Sequence, residues 1–298
     1  HPAVSQVIPV AVRRWRKSWW GARDEIRRFS DQVKALDIDL VLDSQGLIKS
    51  ALLARMAGRS IAGFNSVSAR EGMASWFYQQ VHNVPQNQHA VLRQKELFAG
   101  ALGYRANESI DYGLHGRFER QSGKIMLMHG TTWSSKEWPE ASWKKLAGLC
   151  NDAGYEVLLP AGNHVEFNRA QRITHGLSAT ILDRLPLETV IENLKRCSGV
   201  VSVDTGLGHL AVALKIPTLG LFGATDPGLT GFMGATVEQI VSNHLPCIPC
   251  RKRDCKFRRA DDSSNIYPPC FENTTPETVW QALYQSIKTS SMKAQISP

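Results

Sequence analysis

Three short stretches of the 298-residue chain place hydroxyls, charge and glycine where an anion or a sugar could be held. The first is Gly130-Thr131-Thr132-Trp133-Ser134-Ser135-Lys136, set between an apolar run and a helical one. Threonine hydroxyls donate to phosphate oxygens and Lys136 adds a full charge. A helix start offers unpaired N–H groups at the positive end of its dipole. The second is Asp204-Thr205-Gly206-Leu207-Gly208-His209-Leu210. Its glycines let backbone approach a ligand, Asp204 can accept from sugar hydroxyls, and His209 falls on a first helical turn. The third, Pro160-Ala161-Gly162-Asn163-His164-Val165-Glu166, ends in a carboxylate suited to ribose hydroxyls. Each has a plainer use: an N-cap with a surface lysine, a structural histidine, an acid favoured by a helix dipole.

Cysteines and charge add two further candidates. Cys247, Cys250, Cys255 and Cys270 are spaced CxxC-x4-C-x14-C, which could hold structural zinc. The second pair is no CxxC, and its gap contains Asp261-Asp262-Ser263-Ser264, so reduced or redox-labile thiols are the first reading. Cys150 and Cys197 lie in apolar helical contexts and read as buried thiols. The formal charge of +8 favours an anionic partner. It is densest at Arg13-Arg14-Trp15-Arg16-Lys17 and at Arg251-Lys252-Arg253 with Lys256, Arg258 and Arg259. Trp15, Trp19 and Trp20 beside the first block suggest a surface resting on an anionic membrane, or partial core burial.

The elements that must position these residues alternate. Strands are expected at 7–12, 39–43, 60–64, 124–129, 155–159, 180–182, 199–203 and 217–222. Helices are expected at 19–36, 47–56, 71–80, 88–102, 138–153, 165–174, 187–197, 207–214 and 276–287, with a linker over 105–123. Near-continuous apolar strands alternating with helices imply parallel sheets covered on both faces. The class is therefore α/β, with two doubly wound domains at 1–115 and 116–298. Ligands in such sheets bind beyond the carboxyl ends of the strands, where all three stretches fall. No apolar run reaches the ~18–20 residues of a membrane span, and no basic-then-apolar leader opens the chain, so a cytoplasmic protein is expected.

The three stretches, followed by Phe222-Gly223-Ala224-Thr225-Asp226-Pro227, resemble the donor half of the bacterial ADP-heptose:lipopolysaccharide heptosyltransferases, glycosyltransferase family 9. Val7 to Lys17, Asp43-Ser44-Gln45-Gly46-Leu47-Ile48-Lys49-Ser50 and Ala69-Arg70-Glu71 resemble type I members in particular. The resemblance implies a GT-B fold of two Rossmann-like domains. It implies inverting transfer of heptose from ADP-heptose to a Kdo residue of Kdo2-lipid A, in the lipopolysaccharide inner core. By matching positions Thr131, Thr132 and Lys136 would bind the diphosphate, with Lys136 stabilising the leaving group. Glu166 would bind the ribose and Leu185 would lie near the adenine. Asp204 would hold heptose hydroxyls, with Thr205, Gly206 and His209 completing the pocket. Arg13, Arg16, Lys17 and Arg70 suit the polyanionic acceptor. No cofactor is required and no nucleic acid is expected as partner. The protein is expected on the cytoplasmic face of the inner membrane, held peripherally by its anionic surface.

One departure concerns the base. The family opens with a strand and a Gly-Asp loop whose Asp is expected to deprotonate the acceptor. Nothing here matches that loop, so the chain is expected to be truncated and unable to turn over. Asp43 matches a different family position. Three alternatives stay open: a type II-like enzyme acting on a heptosylated core, towards which the cysteines lean; an inactive fragment that still binds ADP-heptose; and a GT-B epimerase, for which no acid/base pair is found. A zinc-dependent nucleic-acid binder would leave two large α/β domains unexplained.

Overall fold

The computed structural model describes residues 1, 3–18, 20–107, 109–114, 123–257 and 266–296. The chain forms two compact units, His1–Glu108 and Ser109–Pro298. The division expected after residue 115 lies outside the described residues, as does Trp19.

The first unit holds helices α1 (Val12–Lys17), α2 (Arg23–Lys34), α3 (Ile48–Arg55) and α4 (Ala90–Leu102). Its strands β1 (Leu40–Asp43), β2 (Ser60–Phe64) and β3 (Gln80–His82) form a parallel sheet in that order. Two expectations fail here. Residues 7–11 form no strand, and the run ends in helix α1 instead. Pro9 has no N–H to give a ladder. The Arg-Trp-Arg pattern packs Trp15, 5% exposed, edge-on against Phe29 of α2 at 5.6 Å. Residues 71–80 are not one helix but a 3-10 turn, Gly72–Phe77, followed by β3. Tertiary contact overrides local pattern: the Tyr78 ring lies over Gly63, where a Cβ would come within 2.4 Å of it. Its hydroxyl donates to Asp43 at 2.7 Å.

The second unit is a six-stranded parallel sheet: β4 (Lys124–Met128), β5 (Glu156–Ala161), β6 (Ala179–Asp183), β7 (Gly199–Val203), β8 (Thr218–Phe222) and β9 (Val237–Val241). Its helices are α5 (Glu140–Asp152), α6 (His164–Thr174), α7 (Leu187–Lys195), α8 (Gly206–Ala213), α9 (Pro227–Thr230) and α10 (Pro276–Ile296). Spatial order is β6-β5-β4-β7-β8-β9. The chain thus starts in the centre, winds outward through β5 and β6, then returns to β7 on the other side of β4. The strand order reverses beside β4, which opens a crevice at the carboxyl ends there. The period of two along β4 covers both faces. Ile125 and Leu127 join the layer of Trp138, Trp143 and Phe271, whereas Met126 and Met128 join that of Leu194, Val200 and Ile216. Both α9 and β9 were missed by pattern; β9 is a half-exposed edge strand that gives no apolar run.

Candidate functional site

The crevice is a cavity of about 820 Å³ lined from the ends of three strands. The segment after β4 contributes Gly130, Thr131, Thr132 and Lys136; that after β5, Gly162 and Glu166; that after β7, Asp204, Thr205, Gly206 and His209. Residues 130–139 form a loop with one 3-10 turn, Ser134–Lys136, and α5 begins only at Glu140. The helix expected from residue 138 is there but starts two residues later, with Lys136 in the 3-10 turn ahead of it. Glu166 and Leu187 line the cavity from the first turns of α6 and α7, and a further helix whose N-terminus opens on it is α8. Its cap is Thr205, whose Oγ1 accepts from the Gly208 N–H at 3.4 Å.

At the centre Lys136 Nζ donates to Asp204 Oδ2 at 2.7 Å. The lysine side chain is 15% exposed and the aspartate 8%. Lys136 also lies over the Trp133 ring, 4.5 Å from its centroid. His209 Nε2 is 3.9 Å from Asp204 Oδ1, and its ring stands edge-on to Phe232. The two glycines of α8 differ in reason. Gly206 faces open space, which leaves its backbone accessible. A Cβ on Gly208 would come within 2.2 Å of Phe232, so that glycine serves packing rather than ligand approach. Glu166 sits on the first turn of α6, capped by Asn163, and accepts from the Gly162 N–H at 2.7 Å. A Cβ on Gly130 would meet its carboxyl at 2.8 Å, so Gly130 makes room for it.

Eight of the nine donor-side candidates therefore share one cavity. Leu185 does not line it. That side chain is half-buried against the apolar layer of Leu182 and Val190, and Leu187 takes the position on the cavity wall. Leu185, in the link between β6 and α7, turns inward onto that layer.

Pattern reading missed Arg169 and His129. Arg169 is 6% exposed and His129 wholly buried. Burial, then the Arg169 charge, pushes the His129 imidazole down to about 4, while Glu140 opposes. Its ring nitrogens have no hydrogen-bond partner among the described residues. A signal for Arg169 existed in its place one turn beyond Glu166 on the same helix face.

On the first unit Arg13, Arg16 and Lys17 are exposed on α1, and Arg70 is exposed beside Arg93. Trp15 is core, and Trp20 is 78% exposed under Arg23. Asp43 is saturated. It accepts from the Gln45 and Gly46 N–H groups at 2.9 and 3.4 Å, and from the Ser50 and Tyr78 hydroxyls at 2.7 Å each.

Cys150 and Cys197 are buried, and burial pushes both thiols up to about 12. Cys247, Cys250, Cys255 and Cys270 line a small common cavity of about 20 Å³. As placed, no three His, Cys, Asp or Glu groups among the described residues are gathered to hold a metal ion, which lends the zinc reading no geometric support. Among the described residues no helix is long and apolar enough to cross a membrane.

The sequence pattern of glycosyltransferase family 9 (heptosyltransferase) matches residues 26–260. Lipopolysaccharide heptosyltransferase 1 of Pseudomonas aeruginosa is 44% identical over 94% of this chain and 82% of its own length. Its namesake from Escherichia coli K12 is 42% identical over 78% and 76%. Among solved structures, E. coli heptosyltransferase WaaC with ADP superposes with a TM-score of 0.75 at 39% identity, covering 82% of this chain and 79% of that one. E. coli heptosyltransferase II, at 19% identity and a TM-score of 0.65, shares the GT-B fold. The chain belongs to glycosyltransferase family 9 (heptosyltransferase), and is a glycosyltransferase of heptose transfer in lipopolysaccharide biosynthesis.

Proposed function

We propose that the second unit binds ADP-heptose and that the enzyme moves its heptose, with inversion, to a Kdo residue of Kdo2-lipid A. The Lys136–Asp204 pair at the reversal of strand order carries this reading. In the transfer the bond from the anomeric carbon to the diphosphate oxygen breaks as that from the acceptor oxygen forms. Negative charge grows on ADP. Lys136, the Thr131 and Thr132 hydroxyls and the N-terminal N–H groups of α8 are fixed donors around it. Preorganised donors of this kind stabilise a leaving anion without reorganisation. Asp204 takes sugar hydroxyls while staying in contact with Lys136, and Glu166 takes the ribose. The acceptor proton leaves to a base not assigned to any residue of this sequence. Asp43 already accepts from four donors, which leaves its oxygens no room for an acceptor hydroxyl. A WaaC relative at 39% identity was solved with ADP-2-deoxy-2-fluoro heptose, which supports the donor. Exposed Arg13, Arg16, Lys17 and Arg70 support a polyanionic acceptor at the cytoplasmic face of an anionic membrane.

Calorimetric titration tests the donor reading. ADP-heptose should bind the chain, and Lys136→Ala should weaken it on the order of 10- to 100-fold, since hydrogen bonds to charged groups contribute ~1.5–3 kcal/mol. Equal affinity in the two proteins, or no binding to either, would sink it.

A further inference from the structure

The loop that carries Thr131, Thr132 and Lys136 has little secondary structure of its own. Between the end of β4 and the start of α5 it makes a single 3-10 turn. Something outside the loop must fix its shape, because a ligand-facing segment with unsatisfied backbone would sample many conformations. Two groups approach it. On the outer side the backbone carbonyls of the cysteine-rich segment are bonded to it: the Ser135 N–H donates to Arg253 O at 3.0 Å, and the Ser135 hydroxyl donates to Lys252 O at 2.5 Å. On the inner side is one buried guanidinium.

Arg169 projects from α6 into the space under the loop. Nη1 donates to the His129 carbonyl at 3.4 Å and Nη2 to the Trp138 carbonyl at 2.6 Å. These carbonyls stand at the two ends of the loop, nine residues apart in sequence. The charge is answered by Glu137 at 3.1 Å and Glu140 at 3.7 Å, both just beyond Lys136. Only a planar fork can hold two carbonyls and two carboxylates at once; an ammonium is a point charge. The same helix carries Glu166 three residues earlier, against Gly162 and Gly130. One rigid element therefore ties the carboxylate at one end of the cavity to the loop at the other.

We propose that Arg169 is a positioning residue for the diphosphate of the donor: it closes the 130–138 loop from beneath and so sets where Thr131, Thr132 and Lys136 meet the phosphates. The proposal rests on the donor reading above and adds a residue that touches no substrate. Misplacing a binding group by about 1 Å can cost on the order of 10²-fold, so the loop's anchor should matter although it lies outside the cavity.

The test compares ligands that do and do not reach the loop. ADP and adenosine are titrated against the wild-type chain, Arg169→Lys and Arg169→Met, by ligand-observed magnetic resonance, with melting temperature read in parallel. Wild-type binding of ADP checks the donor reading itself; its absence would reject that reading and leave the loop argument without a ligand, overturning both. With ADP bound by wild type, Arg169→Met should weaken ADP on the order of 10- to 100-fold and adenosine less than about twofold. Arg169→Lys should fall between, since it keeps the charge but holds one carbonyl. A purely structural arginine would lower the melting temperature and leave the ADP-to-adenosine ratio at its wild-type value, and that result would overturn the proposal. Should Arg169→Met not fold, the lysine variant alone decides: an unchanged ratio in it rejects the positioning role.

Discussion

Asp43 and Asp204 stand at like places in the two units. Each closes an apolar parallel strand, β1 or β7, and each is nearly buried, at 5% and 8% exposed. Their surroundings part completely. Asp43 is filled by four donors, two from its own turn and two hydroxyls, and nothing is left to accept a ligand. Asp204 is bonded by Lys136, with His209 3.9 Å away, at the wall of a large cavity. The first carboxylate braces a fold; the second is set up for exchange, because a ligand hydroxyl can share it with Lys136. Strand-end position and burial do not separate the two roles. The partners do, and the distant ones, Tyr78 for Asp43 and Lys136 for Asp204, come from 35 and 68 residues away in sequence.

The largest expected effects come from exchanging these two fates. Asp204→Ala should weaken ADP-heptose on the order of 10- to 100-fold, from the loss of charged hydrogen bonds of ~1.5–3 kcal/mol. Its melting temperature should change little, since Lys136 retains contact with the Trp133 ring. Asp43→Ala should do the reverse. It strands the Tyr78 hydroxyl, whereas Ser50 keeps the Leu47 carbonyl at 2.8 Å, and an unpaired buried donor costs ~1–3 kcal/mol. The melting temperature should drop by roughly 8–16 °C, which is what ~2 kcal/mol produces in a small domain, with donor affinity within about twofold. Calorimetry and thermal unfolding on both variants check this; a donor-binding loss in Asp43→Ala would erase the contrast.

The same contrast shows what was legible in the sequence. Every strand of the second unit except β9 was visible as an apolar run, and the three loop stretches fell at their carboxyl ends as a doubly wound sheet requires. Thr131, Thr132, Lys136, Glu166, Asp204, Thr205, Gly206 and His209 could be named because their types and their place after strands are local properties. What was not legible is relational. Arg169 looks like any helical arginine until its carbonyl partners at 129 and 138 are known. Tyr78 ends a helical-looking run because Asp43 pulls it across β2, and the run at 7–11 fails as a strand for want of a ladder. Leu185 was displaced by two residues because apolar residues at a helix start face either core or cavity, and spacing does not say which.

An intermediate effect is expected from pH. His129 is neutral when folded, held near 4 by burial and by Arg169. Unfolded, it would titrate near 6.5. Between those values the unfolded state binds the extra proton, so stability is full above about 6.5 and is lost as pH falls towards 4. The slope from this one group is at most ~1.4 kcal/mol per pH unit. Thermal unfolding of the wild type should therefore decline over that window more steeply than that of His129→Leu, which has no proton to take up. Parallel curves for the two proteins would show that His129 is not the group responsible.

The smallest expected effect separates cavity wall from core at neighbouring positions. Leu187 is 54% exposed and lines the cavity; Leu185 packs inward with Leu182 and Val190. Truncating an exposed wall residue removes part of an apolar contact with the ligand, about two methylene-sized groups at ~0.8 kcal/mol each if fully covered. Leu187→Ala should thus weaken ADP by roughly 2- to 10-fold and leave the melting temperature near wild type. Leu185→Ala should leave ADP affinity near wild type and lower the melting temperature by a few degrees, since a half-buried leucine loses packing on one side only. A crossed result, with Leu185→Ala weakening ADP and Leu187→Ala not, would restore Leu185 to the nucleotide wall and place the inward turn of that residue in error.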